Sequence, residues 1–417
     1  MNFDDTPQEA AFRAEARAWI DANAPKHLHA QLAAAGYGQS PLGSGDALAE
    51  SKAWQKKKRD AGWACLHWPK EFGGRGASPI ERVIWQQEEG VYSKLAGVFM
   101  IGQGMIAPTL MAFAEERHKQ RYLPSMASGE EIWCQLFSEP VAGSDLAGLR
   151  TKAEKDGDHW VVNGQKIWTS GAHYSQYGMI LTRTDPNVVK HDGLTMFFFD
   201  MKSPGVEVRP IKQVNGQSGF NEVYFTNVRI PDHQRLGTVG QGWRVSLTTL
   251  MNERQSIGGT IPPKGSGTIA HLMKEWADAP EWKKDPSTKD EVMKLWIRAE
   301  SLRLTNIRAN QNRKKGDPGP EGSISKMAGA NLNKDIYEVL MNLMGADALL
   351  YGSYEMVRPE HAMEFATPQK AFLRSRANSI EGGTTEIMKN ILGEQMLGLP
   401  GEPRVDKDLP WSKVPRS

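Results

Sequence analysis

The sequence is poor in cysteine and in long apolar runs. Cys65 and Cys134 are its two cysteines in 417 residues, and they lack the spacing of a disulfide framework or a zinc site. No stretch approaches the roughly 18 uninterrupted apolar residues of a membrane-spanning helix, and the first residues lack the apolar core of a secretory signal. We therefore expect no metal, no membrane association and a cytoplasmic location.

A strong charge of either sign is also missing. The 51 Lys and Arg residues nearly balance 49 Asp and Glu residues, which leaves a formal charge of +2. Binding along a nucleic-acid backbone needs a far larger cationic excess, so nucleic acid is not an expected partner. A hydrophobic content of 39% with 13 tryptophans supplies apolar surface for packed cores, and the length suits two or three domains.

The spacing of apolar residues changes twice along the chain. Thr6-Pro-Gln-Glu9 is a capping box, and helical spacing follows it. Between about 131 and 231 the period is two, and Asn163-Gly164 between two apolar runs predicts a β-hairpin with its turn at that pair. Helical spacing then returns, and a second capping box predicts a helix from Thr288 to about Asn310.

This order predicts an α+β protein. No long helix separates the strands, which favours antiparallel pairing over a parallel dinucleotide-binding sheet. The predicted parts are an N-terminal all-α domain (1–130), a central antiparallel β-barrel-like domain (131–235), a C-terminal four-helix bundle (236–399) and an extended arm or disordered tail (400–417).

Three motifs carry the functional interpretation. The first is Gln135-Leu-Phe-Ser-Glu-Pro-Val-Ala-Gly-Ser-Asp145, whose small residues let a flat polar ligand approach the backbone. The second is Lys166-Ile-Trp-Thr-Ser-Gly171, and the third is Ile380-Glu-Gly-Gly-Thr-Thr-Glu-Ile-Met-Lys-Asn390. Taken alone, the first motif is better explained as a capped turn. Together and in this order the motifs resemble those of the acyl-CoA dehydrogenases, and the resemblance covers essentially the whole chain.

The resemblance implies a flavoenzyme that binds FAD and dehydrogenates an acyl-CoA thioester between the α- and β-carbons. It implies that one edge of the flavin is lined by Gln135, Leu136, Phe137 and Ser138, and that the ring near N5 is covered by Trp168 and Ser170. Thr384 would bond the flavin or its diphosphate, and the substrate would contact Ser144, Arg254 and Gly382. The resemblance also implies a homodimer or homotetramer and an electron-transfer flavoprotein as the acceptor.

Two carboxylates compete for the role of the base that takes the α-proton. In many members of the family the base stands five residues before the position of Ile387, and here that residue is Gly382, with Glu381 one residue further away. Members of the isovaleryl and long-chain types take the base from an earlier Glu-Arg pair, which here matches Glu253-Arg254. We predict Glu253 as the base and Glu381 as the runner-up.

Helical spacing is compatible with this choice. Arg254 falls at the centre of a stripe formed by Trp243, Leu247, Leu250 and Met251, and Glu253 flanks it beside Ser246. A guanidinium in an apolar stripe calls for a buried anionic partner. A surface ion pair is the plain alternative.

Two departures from the family pattern concern the adenine end of the cofactor. An Arg-x-x-Phe-Gly element is replaced by residues 262–267, and a later glycine-rich motif is reduced to residues 342–346. Two other functions stay open: a catalytically silent subunit of a heteromeric enzyme, and a flavin-dependent monooxygenase on the same scaffold.

Overall fold

A computed structural model describes residues 5–34, 46–258, 263–314, 321–353, 355–356, 367–404 and 406–415. Along the described chain, helices come first, strands follow and helices return. The α+β fold predicted from the change in hydrophobic period is therefore confirmed.

The first region consists of helices around a tryptophan-rich core. Its helices are α1 (Pro7–Asn23), α2 (His29–Ala34), α3 (Asp46–Asp60), α4 (Pro79–Glu89), α5 (Ala107–Phe113) and α6 (Glu116–Ser128). The predicted capping box opens α1, because the Thr6 hydroxyl accepts from the Glu9 amide and the Glu9 carboxylate accepts from the Thr6 amide. The indoles of Trp54, Trp63 and Trp85 belong to the core shared by α1 to α4, whereas α5 and α6 pack into the cluster that contains the sheet.

The central region is a mixed β-sheet. Its strands are β1 (Trp133–Leu136), β2 (Lys152–Asp156), β3 (His159–Ser170), β4 (Tyr177–Arg183), β5 (Leu194–Asp200), β6 (Val206–Pro210), β7 (Phe220–Pro231) and β8 (Arg235–Leu236). They lie in the order β6-β7-β3-β2-β4-β5-β8, and β1 lies beside β4. Most neighbours are antiparallel, whereas β4 pairs in parallel with β1 and, at one position, with β2.

The predicted hairpin turn at Asn163-Gly164 is wrong, because β3 continues through both residues. The turn lies at Gly157-Asp158, between β2 and β3, where Gly157 has a φ of 61°. Asn163 instead accepts a hydrogen bond from the Asn227 amide (2.8 Å) at a β-bulge against β7. The Asn-Gly pair therefore marks a β-bulge and a close approach of two backbone segments. Glycine is favoured at both kinds of position, as it is in hairpin turns.

The third region returns to helices. These are α7 (Gly242–Gly258), α8 (Thr268–Asp278), α9 (Pro286–Lys314), α10 (Glu321–Met344), α11 (Pro368–Ser375) and α12 (Thr385–Asn390). Helix α9 begins before the predicted Thr288, because the Asp285 carboxylate accepts from the Ser287 and Thr288 amides at 2.9 and 3.0 Å. Helices α8 to α11 share one apolar core.

One core joins the three regions. Leu110 on α5, Phe198 on β5 and Val245 on α7 belong to the same buried cluster, so the start of α7 is fixed against both the first helices and the sheet. Within the described ranges no single helix is long and apolar enough to cross a membrane. One pair bent by 76°, Pro79–Phe99 with Gly102–Phe113, reaches that length and composition only when its two parts are joined.

The position of the turn can be tested by substituting the two glycines. A Cβ on Gly164 would lie 2.5 Å from the Thr151 hydroxyl oxygen and 2.7 Å from the Thr151 Cα atom, so Gly164→Ala should lower the free energy of unfolding by about 1–3 kcal/mol. Gly157→Asn should cost less than about 1 kcal/mol, because Asn tolerates a positive φ and nothing lies within 4 Å. Urea unfolding measures both, and the reverse ranking would place the turn at Gly164.

Candidate functional site

The first motif begins on strand β1, which pairs with β4, and ends in a turn. Leu136 and Phe137 are buried, whereas Gln135 and Ser138 are half-buried. The side-chain oxygen Oε1 of Gln135 is buried and has no hydrogen-bond partner among the described residues. A buried polar atom of this kind is costly unless a ligand or water satisfies it.

A buried ion pair fastens the first motif to the second. The Lys166 ammonium donates to the Glu139 carboxylate (2.8 Å) and to the Phe137 carbonyl oxygen (3.0 Å), and the two side chains are 0% and 3% exposed. The Ile167 amide also donates to the Ser138 carbonyl oxygen (2.9 Å). The two motifs, separated by some twenty residues in the sequence, are therefore held side by side.

The Glu139 carboxylate accepts hydrogen bonds from backbone amides as well as from Lys166. It accepts from the Arg150 amide at 2.6 Å and from the Thr151 amide at 2.9 Å. Burial alone would raise the pKa of Glu139, but the Lys166 ammonium and these donors outweigh burial and lower it. Glu139 is thus an ionised anchor, and both residues escaped the sequence analysis, although each belongs to a motif in which charge is rare.

Trp168 is presented outward by an irregularity in β3. Its φ is 59°, a conformation rare for a bulky residue, and the pairing with β7 shifts register between Lys166 and Thr169. The indole is 55% exposed and lies 6.1 Å from the ring of Phe220. Thr169 is buried, and its hydroxyl oxygen has no hydrogen-bond partner among the described residues; the predicted Ser170 beside it is half-buried.

The third motif forms a turn that only glycine permits. Gly382 and Gly383 have φ values of 62° and 92°, and a Cβ on Gly383 would lie 2.6 Å from a methyl carbon of Met388. The Lys326 ammonium donates to the Gly383 carbonyl oxygen. Thr384 caps α12, since its hydroxyl accepts from the Ile387 amide (3.1 Å).

Glu381 is held by two donors at the start of this turn. Arg374 donates to it through both terminal nitrogens, at 3.0 and 2.5 Å, and Asn378 donates at 2.8 Å. The Arg374 guanidinium carbon lies 5.5 Å from the ring of Phe220, which in turn contacts Trp168. Two rings and one ion pair thus link the second motif to the third, although about 210 residues separate them in the sequence.

The predicted base Glu253 and its neighbour Arg254 lie in α7, but their side chains are outside the described residues. Residue 253 follows the buried Thr249 by one helical turn, and the Thr249 hydroxyl contacts the Thr109 hydroxyl (2.9 Å). The stripe predicted around Arg254 is buried only in part: Trp243 and Leu250 pack against the central core, whereas Leu247 and Met251 are 43% and 58% exposed.

Ser144, predicted beside the substrate, lies on the surface at the end of the first motif. Its neighbour Asp145 forms an ion pair with Lys190 (2.7 Å). The structure thus brings the first and second motifs together and links the second to the third through Phe220 and Arg374. Neither Phe220 nor Arg374 was selected from the sequence, because neither lies in one of the three motifs.

Three models of acyl-CoA dehydrogenase domains match the chain: the N-terminal domain over residues 6–130, the middle domain over 134–228 and the C-terminal domain over 240–397. The chain is 35% identical over 394 residues to the acyl-CoA dehydrogenase IpdE1 of Mycobacterium tuberculosis, covering 94% of this chain and 98% of that protein. It is 37% identical over 360 residues to the acyl-CoA dehydrogenase FadE34 of the same organism, covering 85% of this chain and 48% of that protein.

Solved structures show the same fold. The structure described as "Tcur3481-Tcur3483 steroid ACAD" is 25% identical, with a TM-score of 0.74 over 96% of this chain and 100% of that chain. The ChsE4-ChsE5 complex from Mycobacterium tuberculosis is 26% identical, with a TM-score of 0.72 over the same shares. A glutaryl-CoA dehydrogenase from Mycobacterium smegmatis in complex with FADH2 is 18% identical, with a TM-score of 0.70 over 96% of this chain and 97% of that chain.

The buried ion pair can be tested by removing its cation. Lys166→Met leaves the Glu139 carboxylate without its charged partner, and we expect the free energy of unfolding to fall by about 3–5 kcal/mol. Lys152→Met is the matched control in the same sheet, since its side chain is 53% exposed in an ion pair with Glu154, and it should cost less than about 1 kcal/mol. Urea unfolding at pH 7 measures both.

The same variant should show a distinct pH dependence. Because the folded-state pKa of Glu139 lies below its ordinary value of 4.5, the stabilisation by the pair is present above that value and is lost as the pH falls through the lowered pKa. The difference between the wild type and Lys166→Met should therefore shrink as the pH falls below about 4.5. A constant difference across that range would show that Glu139 is not ionised in the folded protein.

Proposed function

Because the chain belongs to the acyl-CoA dehydrogenase family, we propose that it removes an α-proton and a β-hydride from a CoA thioester. The members of this family are FAD-dependent oxidoreductases. The observation that carries the proposal is the link from Trp168 through Phe220 and Arg374 to Glu381, which brings the C-terminal glycine turn to the exposed indole. We also propose an electron-transfer flavoprotein as the acceptor.

The residues around Trp168 suit FAD. The buried oxygens of Gln135, Thr169 and Thr385 have no hydrogen-bond partner among the described residues, and a polar ring edge or a diphosphate would supply one. The exposed indole of Trp168 offers a flat apolar surface. We propose that Gln135 to Ser138 line the polar edge, that Trp168 and Ser170 cover the ring, and that Thr384 bonds the flavin or its diphosphate. When bound, FAD accepts the hydride that leaves the β-carbon.

We propose Glu253 as the base that takes the α-proton. An α-proton of a thioester is a weak acid, so its removal needs a carboxylate held beside it while the carbonyl oxygen is polarised. The carboxylate of Glu381 already accepts three hydrogen bonds from Arg374 and Asn378, so both of its oxygens are engaged within the turn. Its proposed role is to anchor the turn that carries Gly382 and Thr384.

The substrate is proposed to be an acyl-CoA ester whose pantetheine arm passes the surface turn at Ser144, with Arg254 and Gly382 as further contacts. Within this class we propose a bulky, ring-bearing acyl group. The support is the 25% identity to a structure described as a steroid acyl-CoA dehydrogenase over 96% of this chain.

A second candidate is a subunit that keeps the fold and acts only with a different partner chain. Two of the similar structures carry paired names, Tcur3481-Tcur3483 and ChsE4-ChsE5. In this chain the exposed Leu247 and Met251 on α7 leave apolar surface for a neighbour. A homodimer or homotetramer would cover the same surface. The activity of the purified chain and the subunit composition of its oligomer therefore decide between the two candidates.

The proposed function is tested by cofactor content and by reduction with substrate. The purified chain should be yellow, and one ester from a panel of short, branched, long and steroidal acyl-CoA compounds should bleach it without oxygen. A colourless chain that cannot be reconstituted with FAD would refute the proposal. A yellow chain that no ester bleaches would support the silent subunit, and oxygen consumption without a CoA ester would support a monooxygenase.

The choice of base predicts opposite effects for two isosteric variants. Glu253→Gln should keep the flavin absorbance and lower kcat by about a thousandfold, the usual scale for loss of a general base. Glu381→Gln should change kcat by less than about tenfold and lower the melting temperature, because it weakens the contact with Arg374. Turnover with the most active ester of the panel measures the first effect and thermal unfolding the second. A severe loss for Glu381→Gln with a mild one for Glu253→Gln would reverse the assignment.

A further inference from the structure

Residues 406–415 form an arm that returns to the sheet, and we name them the C-terminal arm. The Trp411 amide donates to the Val188 carbonyl oxygen and the Ser412 amide donates to the Pro186 carbonyl oxygen, each at 2.8 Å. Both acceptors lie in the connection between β4 and β5. The arm therefore follows that connection through backbone hydrogen bonds, and its described residues form turns and a 3-10 helix at Trp411–Lys413.

Lys190 joins the arm to the first motif. Its side chain is 6% exposed, and its ammonium contacts the carboxylate of Asp145 at 2.7 Å and that of Asp406 in the arm. The hydrogen bond from Lys190 lowers the pKa of Asp406 to about 2, so the arm presents a carboxylate that stays ionised at neutral pH. A nearly buried ammonium requires anionic partners, and the arm supplies one of the two.

Trp411 lies where three segments meet: the C-terminal arm, the connection between β4 and β5, and the turn at residues 143–148. Its indole N–H donates to the Gly148 carbonyl oxygen (3.3 Å), and its ring lies 4.6 Å from the guanidinium carbon of Arg183. Arg183 in turn donates to the Lys190 carbonyl oxygen (2.7 Å) and to the Ala147 carbonyl oxygen (2.5 Å). A cation–π contact at a buried guanidinium is stronger than one in water.

Building on the proposed function, we infer that the C-terminal arm positions the turn at residues 143–148 for the pantetheine arm of the acyl-CoA substrate. That turn contains Gly143, Ser144 and Gly148, small residues with many conformations to lose on binding. Contacts that select one conformation before binding reduce this cost. Asp406 and Trp411 act through Asp145 and Gly148, so they are positioning residues.

The test compares three changes in the arm with one matched control. The changes are truncation after Arg404, Asp406→Asn and Trp411→Ala. The control is Asp408→Asn, which removes an exposed carboxylate of the same arm for which the structure shows no ion pair with another described residue. For each protein, kcat and KM are measured with the most active ester of the panel, together with the flavin-to-protein absorbance ratio.

We expect a rise in KM without a fall in kcat. Truncation should raise KM about fivefold to tenfold, within the usual range for coupling between two sites, and the two point variants should raise it about threefold. The control should not differ from the wild type. An unchanged KM in all three variants would overturn the inference, and so would a loss of flavin or of kcat at constant KM, because the arm would then serve folding alone. If the truncated chain does not fold, the point variants decide.

Hydrogen exchange gives a readout independent of turnover. If docking of the arm raises the affinity for the coenzyme A portion of the substrate, binding of coenzyme A must favour the docked arm by the same factor. Saturating free coenzyme A should therefore slow exchange of the Trp411 and Ser412 amides in the wild type, and unchanged exchange would overturn the inference. A wild-type protein that no ester reduces refutes the proposed function. In that case the effect of free coenzyme A on amide exchange is the test of the role of the arm. Turnover in the wild type with no effect of the variants refutes only the role of the arm.

Discussion

The buried ion pair between Lys166 and Glu139 is the constraint on which the site depends. An isolated charge of either sign would not be tolerated at 0% and 3% exposure, so the two side chains fix the distance between the segment that follows β1 and strand β3. The Lys166 ammonium also holds the Phe137 carbonyl oxygen, and Glu139 holds two amides near the start of β2. One pair thereby orients the backbone of the first motif and the bulge that turns Trp168 outward.

A second link brings the C-terminal turn to the sheet. The Arg374 guanidinium is 5% exposed, pairs with Glu381 and lies against Phe220. A rigid planar guanidinium can satisfy a carboxylate and an aromatic face at once, which an ammonium does less well. The contact therefore does two things: it fixes the glycine turn before α12 and it holds that turn near Trp168.

Much of the architecture could be predicted from the sequence because period and capping are local. Thr6 and Glu9 satisfy each other across one turn, so their spacing alone identifies the start of α1. The errors arose where a local signal had two structural uses. Asn163-Gly164 serves a bulge, because Thr151 approaches Gly164 and the Asn227 amide uses the Asn163 side chain. Helix α9 begins before Thr288 because the Asp285 carboxylate caps it and accepts hydrogen bonds from two backbone amides.

The motifs of the candidate site could be recognised in the sequence, but the contacts that link them in the structure could not. Phe220, Arg374 and the C-terminal arm act through contacts between distant segments, and no spacing in one sequence encodes such a contact. Helix α7 shows the same limit. Its period could be recognised, but the face around Leu247 and Met251 is exposed in this chain, whereas Ser246 and Thr249 are buried. By sequence spacing alone, residue 253 follows those two residues by seven and four positions, which are intervals within one face of an ideal helix, and this spacing is compatible with the proposed base.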